Sequence, residues 1–213
     1  MDRYLSLTGL TAPECVALAP VAEAAGFAGV ALSDHLVLPD DLGTYPNAPD
    51  GKVPFTHSTP WPDVWVAIGA MAAVTTTLRF RTTVLLLPLR HPIVVARAVG
   101  TAACLAPGRV EVGVGLGWLA GEYEVVGVDF ARRGRLLEES IAALRALWGP
   151  GPAHHAGEEW SFGPVHLEPT PPVVPPFLIG AGAPRALRRA ATLGDGYIVP
   201  GVPFDRSIEL IGE

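Results

Sequence analysis

Residues 177–185 read Phe177-Leu178-Ile179-Gly180-Ala181-Gly182-Ala183-Pro184-Arg185. Three apolar residues give a short strand, and a run of small residues gives a turn. Pro184 then opens a helix that Gly194 closes. Proline suits a first helical turn, where an N–H would find no intrahelical acceptor. The stretch is therefore one strand–helix unit, and the same unit recurs upstream. Residues 4–7 alternate as a strand. Thr11 and Glu14 form a capping box for a helix that Gly26 ends, and residues 27–32 make a second strand. Apolar residues at Val64, Ile68 and Met71 predict a helix over 63–74, and residues 78–87 read as one long strand. Pro92 opens a helix to about residue 105, stopped by Pro107-Gly108, and residues 110–115 form a fourth strand. Leu137, Ile141, Leu144 and Trp148 mark the buried stripe of a helix over 132–148, with Gly149 as its stop. A proline-rich connector leads to the quoted unit, residues 197–199 give a sixth strand, and a further helix starts at Phe204.

Strand and helix thus alternate about six times, and the strands are nearly continuous in apolar residues. That pattern implies a parallel sheet covered by helices. An open doubly wound sheet and a (β/α) barrel both satisfy it. Between strand two and the next helix, residues 36–62 form a loop rich in Pro, Asp and Gly that also carries Tyr45, Phe55 and Trp61. A connection that long is commonly functional.

Composition narrows the partners. The 213 residues carry a net charge of −6, which argues against nucleic acid or an anionic membrane and for a small-molecule partner. Lys52 is the sole lysine, leaving little room for Schiff-base chemistry. Cys15 and Cys104 match no metal or redox spacing and read as small buried residues. No apolar stretch approaches the roughly 20 residues of a membrane helix. The start Met1-Asp2-Arg3 predicts no signal peptide, so the expected compartment is the cytoplasm. His154 and His155, adjacent in the connector, lack the spacing of a helical metal pair and are expected in solvent; no metal site is predicted.

Two glycine-rich turns invite a phosphate reading. Gly113-Val114-Gly115-Leu116-Gly117 follows a strand, but its spacing is not that of a dinucleotide fingerprint, and Trp118 would crowd a pyrophosphate. The turn at 180–185 is better placed. It leads into a helix whose free N–H groups and dipole favour an anion, and Arg185 stands ready as a bidentate partner.

Five stretches in order carry a family resemblance: 26–35 (ending Ser33-Asp34-His35), 78–84, Arg90-His91-Pro92, 113–118 and 180–185. The most specific continues from Gly117-Trp118 through Glu122-Tyr123-Glu124 and Gly127-Val128-Asp129-Phe130 to Arg133-Gly134-Arg135. Together they resemble the bacterial luciferase-like flavin and deazaflavin oxidoreductases. The resemblance implies a TIM-type barrel with the flavin ring over the carboxyl ends of the strands. It implies a bulge with a non-prolyl cis peptide behind that ring, which falls here at Thr83-Val84. It places Gly115, Gly117, Trp118, Gly180, Ala181, Gly182 and Arg185 around the cofactor. An Asp-His pair closing strand two is common in the coenzyme F420 branch, so Asp34 and His35 are the expected catalytic pair. A histidine next to a carboxylate can be tuned to trade a proton near neutral pH. The expected function is hydride transfer between F420 and a small organic substrate. An FMN-dependent luciferase-like monooxygenase and a non-catalytic barrel fragment or subunit are the alternatives. His91, at the same end, reads as a helix cap. Glu122 and Tyr123 match the family and could simply anchor the following helix.

Two departures shape the expectation. Related enzymes acting on sugar phosphates carry an acid after the glycine-rich fourth strand and lysines later on. Here Trp118 takes that slot and no lysine follows Lys52, so an apolar or uncharged substrate is expected. A full barrel also needs eight strands and about 250 residues. With six strand–helix units, the first and sixth strands would be raw edges. Either the sequence is a fragment, or a partner chain (a homodimer in the simplest case) completes the sheet, or the cofactor pocket is incomplete.

Overall fold

The computed structural model of the chain describes residues 2–180, 182–199 and 201. Strand β1 (Tyr4–Ser6) leads through helix α1 (Ala12–Ala24) to β2 (Gly29–Leu32), and α2 (Val64–Ala72) leads to β3 (Arg79–Thr82) and β4 (Leu85–Leu86). Then follow α3 (Pro92–Leu105), β5 (Val110–Gly115), α4 (Ala120–Val125) and α5 (Arg133–Leu147). A hairpin of β6 (Ala153–Ala156) and β7 (Ser161–Val165) precedes β8 (Phe177–Gly180), α6 (Pro184–Leu193) and β9 (Gly196–Ile198).

The main sheet runs β1-β2-β3-β5-β8-β9, with β4 also paired to β5, and these pairings are all parallel. This order decides between the two architectures. A doubly wound sheet reverses its direction of growth at a switch point. Here each crossover adds a strand on the same side, as in a barrel. The described chain is an arc of a (β/α) barrel, with helices on its outer face. Both faces of the central strand are covered, and all six residues of β5 are buried.

The helical layer forms as its sequence dictates. Asp63 caps α2 by accepting from the backbone N–H of Trp65 (2.9 Å) and Val66 (3.0 Å). Glu14 accepts from both the Thr11 N–H (2.8 Å) and its hydroxyl (2.6 Å) at the start of α1. Leu137, Ile141, Leu144 and Trp148 are buried along and just beyond α5, as the stripe predicts. Each such side chain contributes roughly 1.5–3 kcal/mol by leaving water. Trp148 stacks on Phe177 with ring centroids 5.7 Å apart, tying α5 to β8.

Four expectations need correction. The single long strand over 78–87 is broken: Thr83 N–H still donates to Leu32 on β2 (2.7 Å), but Leu85 pairs with Val114 on β5. A run of β-prone residues with no glycine or proline before Pro88 hides such a change of partner. The connector contains the β6–β7 hairpin, whose turn is clipped to α5. There the Glu139 carboxylate accepts from the backbone N–H of Glu158, Glu159 and Trp160 at 3.2, 2.9 and 3.2 Å. His154 is exposed, but its neighbour His155 is half-buried against Phe162. Cys15 is buried, whereas Cys104 is exposed. The helix expected from Phe204 lies outside the described residues.

At the amino ends of the strands the inner face is polar. Tyr4 donates to Glu111 (2.8 Å), Arg81 Nε donates to the other oxygen of the same carboxylate (2.5 Å), and the Arg81 guanidinium lies 3.9 Å from the Tyr4 ring centre. Burial, then the bond to Glu111, pushes the Tyr4 hydroxyl up to about 12. No helix among the described residues is long and apolar enough to cross a membrane.

Candidate active site at the carboxyl ends of the strands

A cavity of about 1210 Å³ opens at the opposite end of the sheet. One part of its wall has little or no side chain: Gly115, Gly117, Gly180 and Gly182, beside Thr83 and Val84. Another part is aromatic: Tyr45, Phe55 and Trp61 from the loop over 36–62, and Trp118 from the turn after β5. His35 lines the same cavity.

His35 stands just beyond the end of β2, its side chain 9% exposed. Its Nδ1 faces the Glu122 carboxylate on α4 at 2.9 Å. Glu122 also accepts from the backbone N–H groups of Leu36 (2.5 Å) and Val37 (3.3 Å). Its side chain is 1% exposed, so these donors replace the water it has lost. A carboxylate at Nδ1 keeps the proton on that nitrogen and turns Nε2 into the working one. The same residue thereby sets the tautomer of His35 and ties the root of the long loop to α4. Its neighbour Tyr123 is fully buried and donates to the carbonyl of Leu116. Tyr123 ties α4 back to the turn after β5, while Glu122 does more.

Asp34 is not the partner of His35. Asp34, 5% exposed, borders the same cavity, but its carboxylate is engaged elsewhere. Its carboxylate accepts from Arg90 at 2.7 and 2.8 Å and from the Leu86 N–H at 2.9 Å. This buried clamp joins the end of β2 to β4 and to the segment before α3. His91 caps α3, its Nδ1 accepting from Ile93 N–H at 3.2 Å.

The peptide Thr83-Val84 is cis, as the resemblance implies. Val84 packs over two glycines: a Cβ added at Gly115 or Gly180 would stand 2.4 or 2.8 Å from its methyl carbons. Only glycine therefore coexists with Val84 there, and the floor stays low enough for a flat ring. Gly117 has φ of +70°, a turn conformation that glycine adopts without strain.

The expected phosphate turn borders the cavity without its arginine. At the turn after β8 the wall is formed by Gly182, Ala183 and Ala186, with Ala183 as an N-cap that has no side-chain hydrogen bond to offer. Arg185 is exposed and does not contribute to this wall; Ala181 lies outside the described residues. The arginine that does line the cavity is Arg133, at the start of α5. It lies 3.7 Å over the Phe130 ring, and its Nη1 donates to the Phe130 carbonyl at 2.7 Å. Its Nε is buried without a hydrogen-bond partner. The uncapped start of α6 and the Arg133 guanidinium border the same cavity, and both are groups that can bind a phosphate. Trp118 leans on the loop rings, 5.3 Å from Tyr45 and 6.5 Å from His35 between centroids.

The described arc of a (β/α) barrel thus carries a histidine–carboxylate pair, a glycine-lined wall and one arginine at its carboxyl mouth. Residues 4–212 match the luciferase-like monooxygenase family, and the chain belongs to it. An uncharacterized protein of Mycobacterium tuberculosis is 37% identical over 197 residues, covering 92% of this chain and 68% of that protein. The F420-dependent glucose-6-phosphate dehydrogenase of Beutenbergia cavernae is 35% identical over 189 residues, 87% of this chain and 52% of that one. Among solved structures, monooxygenase RslO1 from Streptomyces bottropensis superposes with a TM-score of 0.82 at 23% identity, over 100% of this chain and 64% of that one. An F420-dependent secondary alcohol dehydrogenase gives 0.75 at 21% identity, over 99% and 63%. The FMN-bound oxygenating constituent of 3,6-diketocamphane monooxygenase from Pseudomonas putida gives 0.70 at 19%, over 89% and 55%. These structural likenesses establish the fold. The chain spans 64% or less of each of these three structures.

Proposed function

We propose that this chain serves a deazaflavin-dependent oxidoreductase, exchanging a hydride between coenzyme F420 and a small uncharged organic substrate. The observation that carries the reading is the 2.9 Å contact of His35 Nδ1 with buried Glu122 beside the glycine-floored cavity. Relatives named as F420-dependent, at 33–35% identity, support the choice of cofactor. The bound deazaflavin would supply or accept the hydride. Residues of the chain do the rest. Val84, Gly115 and Gly180 offer a smooth seat for a ring, and Arg133 with the amides at the start of α6 holds the phosphate. His35, fixed through Nδ1, gives or takes the proton at Nε2 as the substrate oxygen gains or loses charge. The aromatic residues of the 36–62 loop and Trp118 exclude water from that exchange.

Titration with F420 and with FMN, each followed by cofactor fluorescence, tests this. F420 is expected to saturate the wild-type protein and His35→Ala alike, while turnover of the latter falls about 100-fold or more. Arg133→Ala is expected to weaken F420 binding by about tenfold or more, with Arg185→Ala nearly silent. Saturation by FMN alone would move the protein to the monooxygenase side of the family.

A further inference from the structure

Helix α5 begins where its own sequence argues against a helix start. Arg132 is its N-cap, Arg133 and Arg135 follow at once, and the first turn holds no acid. The amino end of a helix carries partial positive charge, so guanidinium groups there are opposed by the dipole and by one another. Arg132 supplies no side-chain cap either. The missing negative charge comes from the turn over 157–160, which joins β6 to β7.

Glu159 in that turn accepts from Arg132 through both oxygens, from Nε at 3.0 Å and also from Nη2. It stands 3.9 Å from Arg135 Nε, and Arg135 pairs with Glu158 as well. Both arginines are exposed, yet the Glu159 side chain is only 3% exposed. The turn is fixed on α5 further along. Besides the three N–H groups held by Glu139, the Trp160 indole donates to Ser140 at 2.9 Å, and its ring meets His91, the cap of α3, at 4.7 Å. Gly134 leaves room for Arg189 of α6, since a Cβ there would stand 2.6 Å from that guanidinium. Arg189 is itself paired with Glu138. Of the three arginines at the start of α5, Arg133 alone has no carboxylate partner among the described residues, and it alone lines the cavity.

We infer that Glu159 is a positioning residue for the cofactor phosphate. By neutralising Arg132 and Arg135 it holds the first turn of α5 in place and leaves Arg133 as the one guanidinium presented to the anion. This rests on the reading that Arg133 meets that phosphate. Removing Glu159 has two opposed effects. The lost negative charge strengthens the pull on any anion, but among exposed, salt-screened groups that amounts to about twofold. The loosened turn costs Arg133 its fixed place in a charge-assisted bond, which amounts to about fivefold or more. The second effect wins.

The test compares each cofactor with its phosphate-free counterpart by cofactor fluorescence: F420 with the deazaflavin ribitol compound that lacks the phosphate tail, and FMN with riboflavin. In Glu159→Ala the Kd for F420 is expected to rise about fivefold or more, while that of the phosphate-free compound stays within about twofold. Glu159→Gln keeps an acceptor for Arg132 and is expected to fall between wild type and alanine; it carries the test if the alanine variant does not fold. An equal loss for both members of a pair marks a merely structural role and overturns the inference. So does no loss, or tighter binding of F420. If Arg133→Ala lowers the preference for the phosphate and neither Glu159 variant does, the positioning role alone is wrong. If Arg133→Ala leaves that preference unchanged, the phosphate assignment falls and the inference with it. If only the FMN pair binds and shows the same dependence on Glu159, the inference stands and the F420 reading falls; if neither pair binds, both fall.

Discussion

His35 was legible as a cavity residue only when its place just past strand two was joined to the family resemblance. Its partner was not. Glu122 lies 87 positions away, and only its match to the family stretch singled it out, whereas Asp34 was adjacent and plausible. Adjacency misleads at this strand end, since the Asp34 carboxylate satisfies Arg90 instead. The arginine that lines the cavity shows the same effect. Arg185 sits in the glycine turn, yet Arg133, about fifty positions earlier, is the one at the cavity. A prediction belongs to this scale. Glu122→Gln removes the charge while keeping the shape, and nitrogen-15 NMR of His35 should show loss of the single Nδ1–H tautomer. Turnover is expected to drop about tenfold or more with F420 affinity unchanged. An unaltered tautomer would mean that Glu122 serves only the loop.

Elements meet through backbone donors as much as through apolar faces. Glu23, in the last turn of α1, sits where the helix dipole disfavours an acid. It stays there because it accepts from Thr76, Thr77 and Leu78 N–H at 3.0, 2.5 and 2.8 Å, fixing the turn into β3. The Thr77 N–H leads the bonds that, against some desolvation, hold its carboxyl down to about 2 from 4.5. Because the folded value is the lower one, this contribution is complete above pH 4.5 and is lost as pH falls from there toward 2. Glu23→Gln should therefore melt a few degrees lower at neutral pH and show a flatter acid limb of Tm between those values. A parallel acid limb in wild type and variant would remove Glu23 from the account. Helices and strands with caps and stripes, such as α1, α5 and β8, were readable in advance. The β6–β7 hairpin and the six-residue α4 were not, because each is held by distant partners rather than by its own periodicity.

For the molecule as a whole, the count of strand–helix units was legible but their winding was not. Both a doubly wound sheet and a barrel fit the alternation, and only the order β1-β2-β3-β5-β8-β9 resolves it. That order brings the ends of β2, β4, β5 and β8 to one mouth. There the chain places its glycines, its one cavity-lining arginine among the described residues, and His35. Everything functional in this account depends on a cofactor entering at that mouth. A crystal structure of the protein with F420 bound tests it most directly. The account predicts the tricyclic ring over Val84, Gly115 and Gly180, the phosphate on Arg133, and His35 facing the ring. A ring bound elsewhere, or the His35 imidazole turned into the helical layer, would contradict it.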